Sequence, residues 1–156
     1  MNAEELVKNF MTALEAKDYV AADAYLTSEF LFSGWTPEPL KREQFLTVMS
    51  ELKEGIPNLA YHFQIVHDKR DPQDKPQESY VKITTRMTGT QTDSFILPPL
   101  GLPPIPQMAG TISMPEETWN FTLADDKITR IAVSHVPDGG IQGLLHQLGV
   151  NMPVIP

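Results

Sequence analysis

Cysteine is absent from the 156 residues, which removes disulfide staples, thiolate nucleophiles and cysteine-built zinc sites and leaves the redox compartment open. Basic residues are scarce as well. Twelve Lys and Arg stand against 20 Asp and Glu, giving a net charge of -8 and an isoelectric point near 4.9. That field repels phosphate backbones and anionic lipid, so neither nucleic acid nor a membrane surface is an expected partner. Long apolar runs are missing too. The uncharged stretch between Asp93 and Glu116 carries five prolines within Ile96 to Gly110, and its prolines and glycines would leave backbone groups unpaired in lipid. It reads as a loop in a soluble domain.

Several chemistries are disfavoured by motifs that do not occur. Gly139-Gly140 opens a helix but lacks the spaced glycines of a phosphate-cradling loop, and no nucleophile elbow or dinucleotide fingerprint is found. The four histidines, His62, His67, His135 and His146, form no i, i+4 pair and have no aspartate partner motif. No metal site and no cofactor is therefore implied. The opening "MNAEELVKNFMTALEAKDY" has acids where a signal peptide needs a basic flank, so a cytoplasmic protein is expected.

What is present suffices for one domain over residues 1–156, since 41% hydrophobic content at this length buries a core without metal or disulfide help. Leu6, Phe10 and Leu14, with Val7 and Met11, predict an amphipathic helix from Ala3 to Ala16. Asp18 is placed to cap a short alanine-rich helix through "YVAADAYLTSEF". "FLFSGW" predicts a brief strand before Thr36-Pro37. A third helix over Lys41 to Glu54 turns Phe45, Val48, Met49 and Leu52 inward and stops at Gly55.

Beyond Pro57 the period becomes that of strands. "LAYHFQIVH" and "SYVKITTRMTG" alternate around the polar turn "DKRDPQDKPQE", which predicts a hairpin, and "EETWNFTLADDKITRIAVSH" predicts a second one turning at Ala124-Asp125-Asp126. The proline segment joins the two. "PDGGIQGLLHQLGV" predicts a last helix behind an Asp138 cap, ended by Gly149. Helices followed by antiparallel strands point to an α+β domain in which one curved sheet wraps the N-terminal helices.

This order of elements resembles the nuclear transport factor 2-like (cystatin-like) superfamily, and more narrowly its SnoaL-like polyketide cyclases. The turn "LADDKITRI" is similar to that family's hairpin turn, with Asp126 where glycine is usual, and "DGGIQGLLHQLGV" is similar to its leucine-rich tail. The resemblance implies a cone whose concave sheet face and helices enclose an apolar pocket, with the opposite face serving a homodimer. It also implies proton chemistry by carboxylates and histidines inside the cone. Trp119 falls about where ketosteroid-isomerase relatives carry an acidic donor, and Ser33 near their catalytic base. Neither is an acid here, which argues against steroid isomerisation in its familiar form.

Two side chains are catalytic candidates by strand parity. Glu117 shares its face with Trp119 and Phe121, so it is either a proton-transfer group or, more simply, a solvated acid at a strand's start, because acids are seldom buried without a partner. His135 shares parity with Ile131 and Val133, as a cavity acid or base or as a partly exposed strand end. Pocket-lining candidates are Trp35, Tyr25, Met87, Trp119 and Phe121, with Leu97 and Leu100 from the proline segment as rim or as plain packing. Arg86 and His62 are expected to face out. The expectation is a small-molecule pocket protein for an apolar, oxygenated compound, catalytic without a cofactor, or else a non-catalytic ligand-binding or protein-interaction module of the same fold.

Overall fold

The structure, a computed structural model, describes residues 2–66, 78–108 and 110–150. Helix α1, Ala3–Glu15, is capped by the Asn2 side chain, which accepts from the Glu5 amide at 2.8 Å. It buries Leu6, Val7, Phe10, Met11 and Leu14 along one stripe. Helix α2, Tyr19–Ala24, is capped by Asp18 as expected, with Oδ1 accepting from the Ala21 amide at 3.1 Å. Helix α3, Arg42–Gly55, turns Phe45, Val48, Met49 and Leu52 inward. Its end is tied down by Lys53, whose buried amine donates to the Leu59 carbonyl at 2.6 Å. Helix α4, Gly140–Gln147, follows the last strand.

The strands are β1 (Leu26–Ser33), β2 (Leu40–Lys41), β3 (Gln64–Val66), β4 (Glu78–Thr85), β5 (Thr88–Thr90), β6 (Thr111–Ser113), β7 (Glu117–Ala124) and β8 (Lys127–Val133). Six of them form one sheet in the order β2-β1-β8-β7-β4-β3, and β5-β6 form a separate ribbon. Both expected hairpins are present, β3 against β4 and β7 against β8. The second turns at Asp125 and Asp126, both with positive φ, the geometry of a type I′ connection that aspartate tolerates better than most residues. Register shifts in the β1–β8 and β7–β8 pairs bend and twist the sheet. Its inner face, α1 and α3 share one contiguous core.

Four expectations are corrected. The second helix stops at Ala24, because the Tyr25 carbonyl is taken by the Ile128 amide at 2.7 Å and Leu26 enters the sheet. The strand "FLFSGW" accordingly starts earlier, and it pairs parallel to β8, so the sheet is mixed. Alternation across "LAYHFQIVH" breaks at His62, which has φ +48 and places its ring Nε2 2.9 Å from the Thr88 hydroxyl; only Gln64–Val66 is regular strand. Asp138 is not the cap of α4. It has φ +63, and Gly139 occupies the cap position without a side-chain bond. The polar turn and His67 lie outside the described residues.

The proline segment is folded back on itself. Phe95 and Ile105 form an isolated bridge, Pro98–Leu100 make a short 3-10 helix, and Gly101 reverses the chain at φ +66. Buried Gln91 is its hub: Nε2 donates to the Asp93 and Pro106 carbonyls at 3.1 and 2.8 Å, and Oε1 accepts from the Met108 amide at 2.9 Å. Glu51 of α3 accepts from the Ile96 amide at 3.0 Å. Phe95, Leu97 and Ile105 are buried, while Ile96 and Met108 are exposed.

Candidate functional site

Strand β7 starts two residues after Pro115, and its pleat sends Glu117, Trp119, Phe121 and Leu123 to the inner face. Glu117 is 2% exposed. The solvated-acid reading therefore fails for this residue; Glu116 takes that place, exposed and 3.7 Å from the Arg86 guanidinium. Arg86 faces out as expected, and His62 is exposed. Directly across from Glu117 in the ladder stands Thr85, also buried, close enough for the two side chains to touch.

One carboxylate oxygen of Glu117, Oε2, accepts from the Gly140 amide at 3.1 Å, at the first turn of α4. The other, Oε1, has no hydrogen-bond partner among the described residues. Burial pushes this carboxyl's pKa above the ordinary glutamate value, opposed by the Gly140 bond and by a weaker attraction to the Trp35 indole. That indole forms no hydrogen bond of good geometry: Trp35 Nε1, Trp119 Nε1 and Thr85 Oγ1 are all buried without partners among the described residues.

The surrounding side chains are aromatic. Trp35 and Trp119 meet edge to face at 5.8 Å between centroids, Phe32 contacts both at 5.1 and 5.5 Å, and Tyr61 lies 6.2 Å from Trp119. Trp119 is 0% exposed and Trp35 8%. Trp35 is held between Gly34, at φ +111, and Gly140, at φ +68; a Cβ on Gly140 would lie 3.3 Å from the indole ring. Tyr61 donates its hydroxyl to the Met49 sulfur at 3.5 Å. Burial raises the phenol's pKa.

Of the residues expected at the site, the fold gathers Trp35, Trp119 and Phe121 on the inner face with Glu117, and Met87 continues the inward alternation of Val81, Ile83 and Thr85. Tyr25 is only partly buried and sits beside Ile128, near the far end of β8 from Val133. Leu97 and Leu100 belong to the segment that packs on α3, Leu97 buried and Leu100 partly so. Ser33 is partly exposed and alternates outward from buried Phe32.

His135 is placed differently from its expected parity. Strand β8 ends at Val133, and His135 is exposed beyond it. It lines a surface groove of about 450 Å³ together with Asp138, Gly139, Gln142 and His146. Gly139 is the link between groove and interior, since a Cβ there would lie 3.3 Å from Glu117 Oε2. Sequence reasoning missed Thr85 and the backbone of Gly140. Thr85 carried a signal in its alternation with Ile83 and Met87; the Gly140 contact joins distant segments and had none. Among the described residues there is no group of three or more His, Asp or Glu arranged for a metal.

No protein-family model matches the sequence, and no curated protein sequence matches it either. Solved structures do match. A candidate polyketide cyclase from Xanthomonas campestris superimposes with a TM-score of 0.67 at 18% identity, covering 94% of this chain and 96% of that one. IdmH from Streptomyces antibioticus, also a candidate polyketide cyclase, gives 0.65 at 16% identity, covering 96% and 100%. The fold is that of the SnoaL-like polyketide cyclases. It is shared with a ketosteroid isomerase-like protein from Catenulispora acidiphila, solved with trimethylamine, at a TM-score of 0.60 and 13% identity over 96% of this chain and 95% of that one. The likeness is one of architecture alone. At these identities it establishes the fold, and the chemistry has to be argued from the site's own residues.

Proposed function

We propose that the protein is a small-molecule pocket protein that performs cofactor-free acid/base catalysis on an apolar, oxygenated compound, with Glu117 as the proton-transfer group. The observation that carries this reading is a carboxyl buried among aromatic rings with one oxygen unpartnered among the described residues. A carboxyl whose pKa is raised by desolvation is suited to taking and returning a proton at a carbon acid. The aromatic walls would hold a flat apolar molecule and keep water from the reacting atoms. Exposed His135 is left in a supporting role at the groove, as a proton acceptor at the surface.

The test uses a simple carbon acid, β-tetralone, followed by proton NMR in deuterated buffer. The protein should speed exchange of the α-protons over buffer, and Glu117→Gln should remove roughly a hundredfold or more of that acceleration. Equal rates for the two proteins would refute the assignment. A second reading rests on the Gly140 contact at 3.1 Å: Glu117 would pin the start of α4 in a non-catalytic ligand-binding or protein-interaction module. Under it, the protein gives no acceleration and Glu117→Gln, which keeps an acceptor for the Gly140 amide, is silent.

The same reading gives the protein a cytoplasmic location, a small apolar molecule as its main partner, and a second copy of itself on the outer sheet face, with nucleic acid and membrane excluded as partners by charge. Support for the dimer comes from Tyr80, a large aromatic exposed on that face. Thr84, Thr118, Asn120 and Thr122 are only partly exposed there, beside exposed Tyr80.

A further inference from the structure

Helix α4 buries Ile141, Leu144 and Leu145 and leaves Gln142 and His146, one turn apart, on its exposed side. The loop that leads from β8 into the helix forms the opposite wall, through His135, Val136 and Pro137. Its turn is closed by the Gly139 amide, which donates to the Val136 carbonyl at 3.1 Å. The loop lies so tightly on the helix that a Cβ on Gly143 would strike the Asp138 carbonyl. Between loop and helix runs the groove of about 450 Å³, a size in the range of small-molecule sites. From Gly139 to His146 the helix rise gives it a length of about 10 Å.

The lining is of two kinds. Val136, Pro137 and Val150 are apolar, whereas His135, Asp138, Gln142 and His146 are polar and exposed. None of those four side chains forms a hydrogen bond or ion pair with another described residue. An ionised Asp138 can only accept, the Gln142 amide both donates and accepts, and each imidazole offers at least one donor. A hydroxyl does both, so it satisfies every one of them. An ammonium would give the amide and imidazole donors nothing to bond, and a carboxylate or phosphate would meet Asp138 and a net charge of -8. The chemistry that fits is a neutral ring carrying hydroxyls, its flat side against the valines and the proline.

We propose that this groove is a binding site for a neutral, hydroxylated cyclic compound, held by Asp138, Gln142 and His146 along the helix and by His135 from the loop. The site lies beside the buried carboxyl without including it. A Cβ on Gly139, which lines the groove, would lie 3.3 Å from Glu117 Oε2, and the Gly140 amide is bonded to that same oxygen at 3.1 Å. Binding here is independent of proton transfer by Glu117.

The experiment titrates naphthoresorcinol, a fused bicycle with two hydroxyls on one ring, into the full chain and follows the NMR signals of the His135 and His146 rings and the Gln142 side-chain amide. Its dimethyl ether is the control. The ether keeps the skeleton, can accept but not donate, and is more apolar, so it would bind tighter if surface burial alone counted. Naphthoresorcinol should shift all three signals along one saturating curve and bind about tenfold tighter than the ether. Gln142→Ala and His146→Ala, both at exposed positions, should each weaken it about fivefold at unchanged Tm, and Glu117→Gln should leave its affinity as it was. Equal affinity of the ether, or no saturation, would overturn the site. So would shifts confined to the Trp35 and Trp119 indoles with the groove signals unmoved, a result that would place the ligand beside Glu117 instead. If β-tetralone exchange runs no faster than in buffer while the groove signals still shift, the catalytic reading falls and the groove stands.

Discussion

Glu117 and Gly140 join the start of β7 to the start of α4 through one hydrogen bond, and the protonation of that carboxyl decides how the junction responds to pH. Burial raises its pKa in the folded protein relative to the unfolded chain. The folded state therefore holds the proton more tightly, and the stability this provides is complete below the unfolded glutamate value and lost as pH rises through the folded one. Glutamine keeps an acceptor for the Gly140 amide and cannot ionise. Glu117→Gln should accordingly gain on the unaltered protein as pH is raised from acid to neutral, read as a growing difference in Tm; a difference that stays flat with pH would show that the carboxyl does not titrate in that range. At this scale the sequence was half legible. The pleat of "EETWNFTLA" put Glu117 on the inner face, but the preference for solvating acids pointed the other way, because its compensating partner, the Gly140 amide, lies on a segment no local pattern connects to β7. Trp35 was legible only as an aromatic beside a flexible glycine, its seat against Gly140 being set by the tertiary fold.

Among the elements, the proline segment turns on Gln91, whose side chain stands in for backbone partners that prolines cannot supply. Gln91→Ala would strand two carbonyls and one amide in a partly buried setting. The expected cost is about 2 kcal/mol, felt locally. Hydrogen exchange should accelerate at the Met108 amide and across the Phe95–Ile105 bridge, with α1 unaffected; uniform acceleration would mean that the segment and the core unfold as one unit. Helices α1 and α3 were read from the sequence to within a residue, because an apolar stripe is a local signal, whereas α2 was read on into β1 and the cap of α4 was misplaced. Strand ends were not legible. β1 was read too short and the strand before β4 too long, since both limits are set by partners across the sheet: Ile128 takes the Tyr25 carbonyl, and Thr88 holds the kinked His62. The parallel seating of β1 against β8 had no sequence signature at all.

For the molecule as a whole, one core joins the inner sheet face to α1, α3, α4 and the proline segment, and acids outnumber bases in the sequence. The fold class was legible because helices preceded strands and each hairpin carried its own turn chemistry. The assembly was not, since the outer face alternates Thr and Asn, residues that suit water and an interface about equally. If that face pairs two copies, native mass spectrometry at micromolar concentration should show twice the 17.5 kDa chain mass, and Asn120→Arg at its centre should return the monomer. A monomer at that concentration without any substitution would remove the dimer. No helix among the described residues is long and apolar enough to cross a membrane.

The β1–β8 contact has one more outcome, in time. Phe32 and Ile131 are ladder neighbours drawn from near opposite ends of the chain, so during synthesis the early strand must wait beside its small β2 partner until the late one leaves the ribosome. Pairings that span so much sequence form slowly, and in that interval the nascent N-terminal third exposes a strand edge that the finished protein covers.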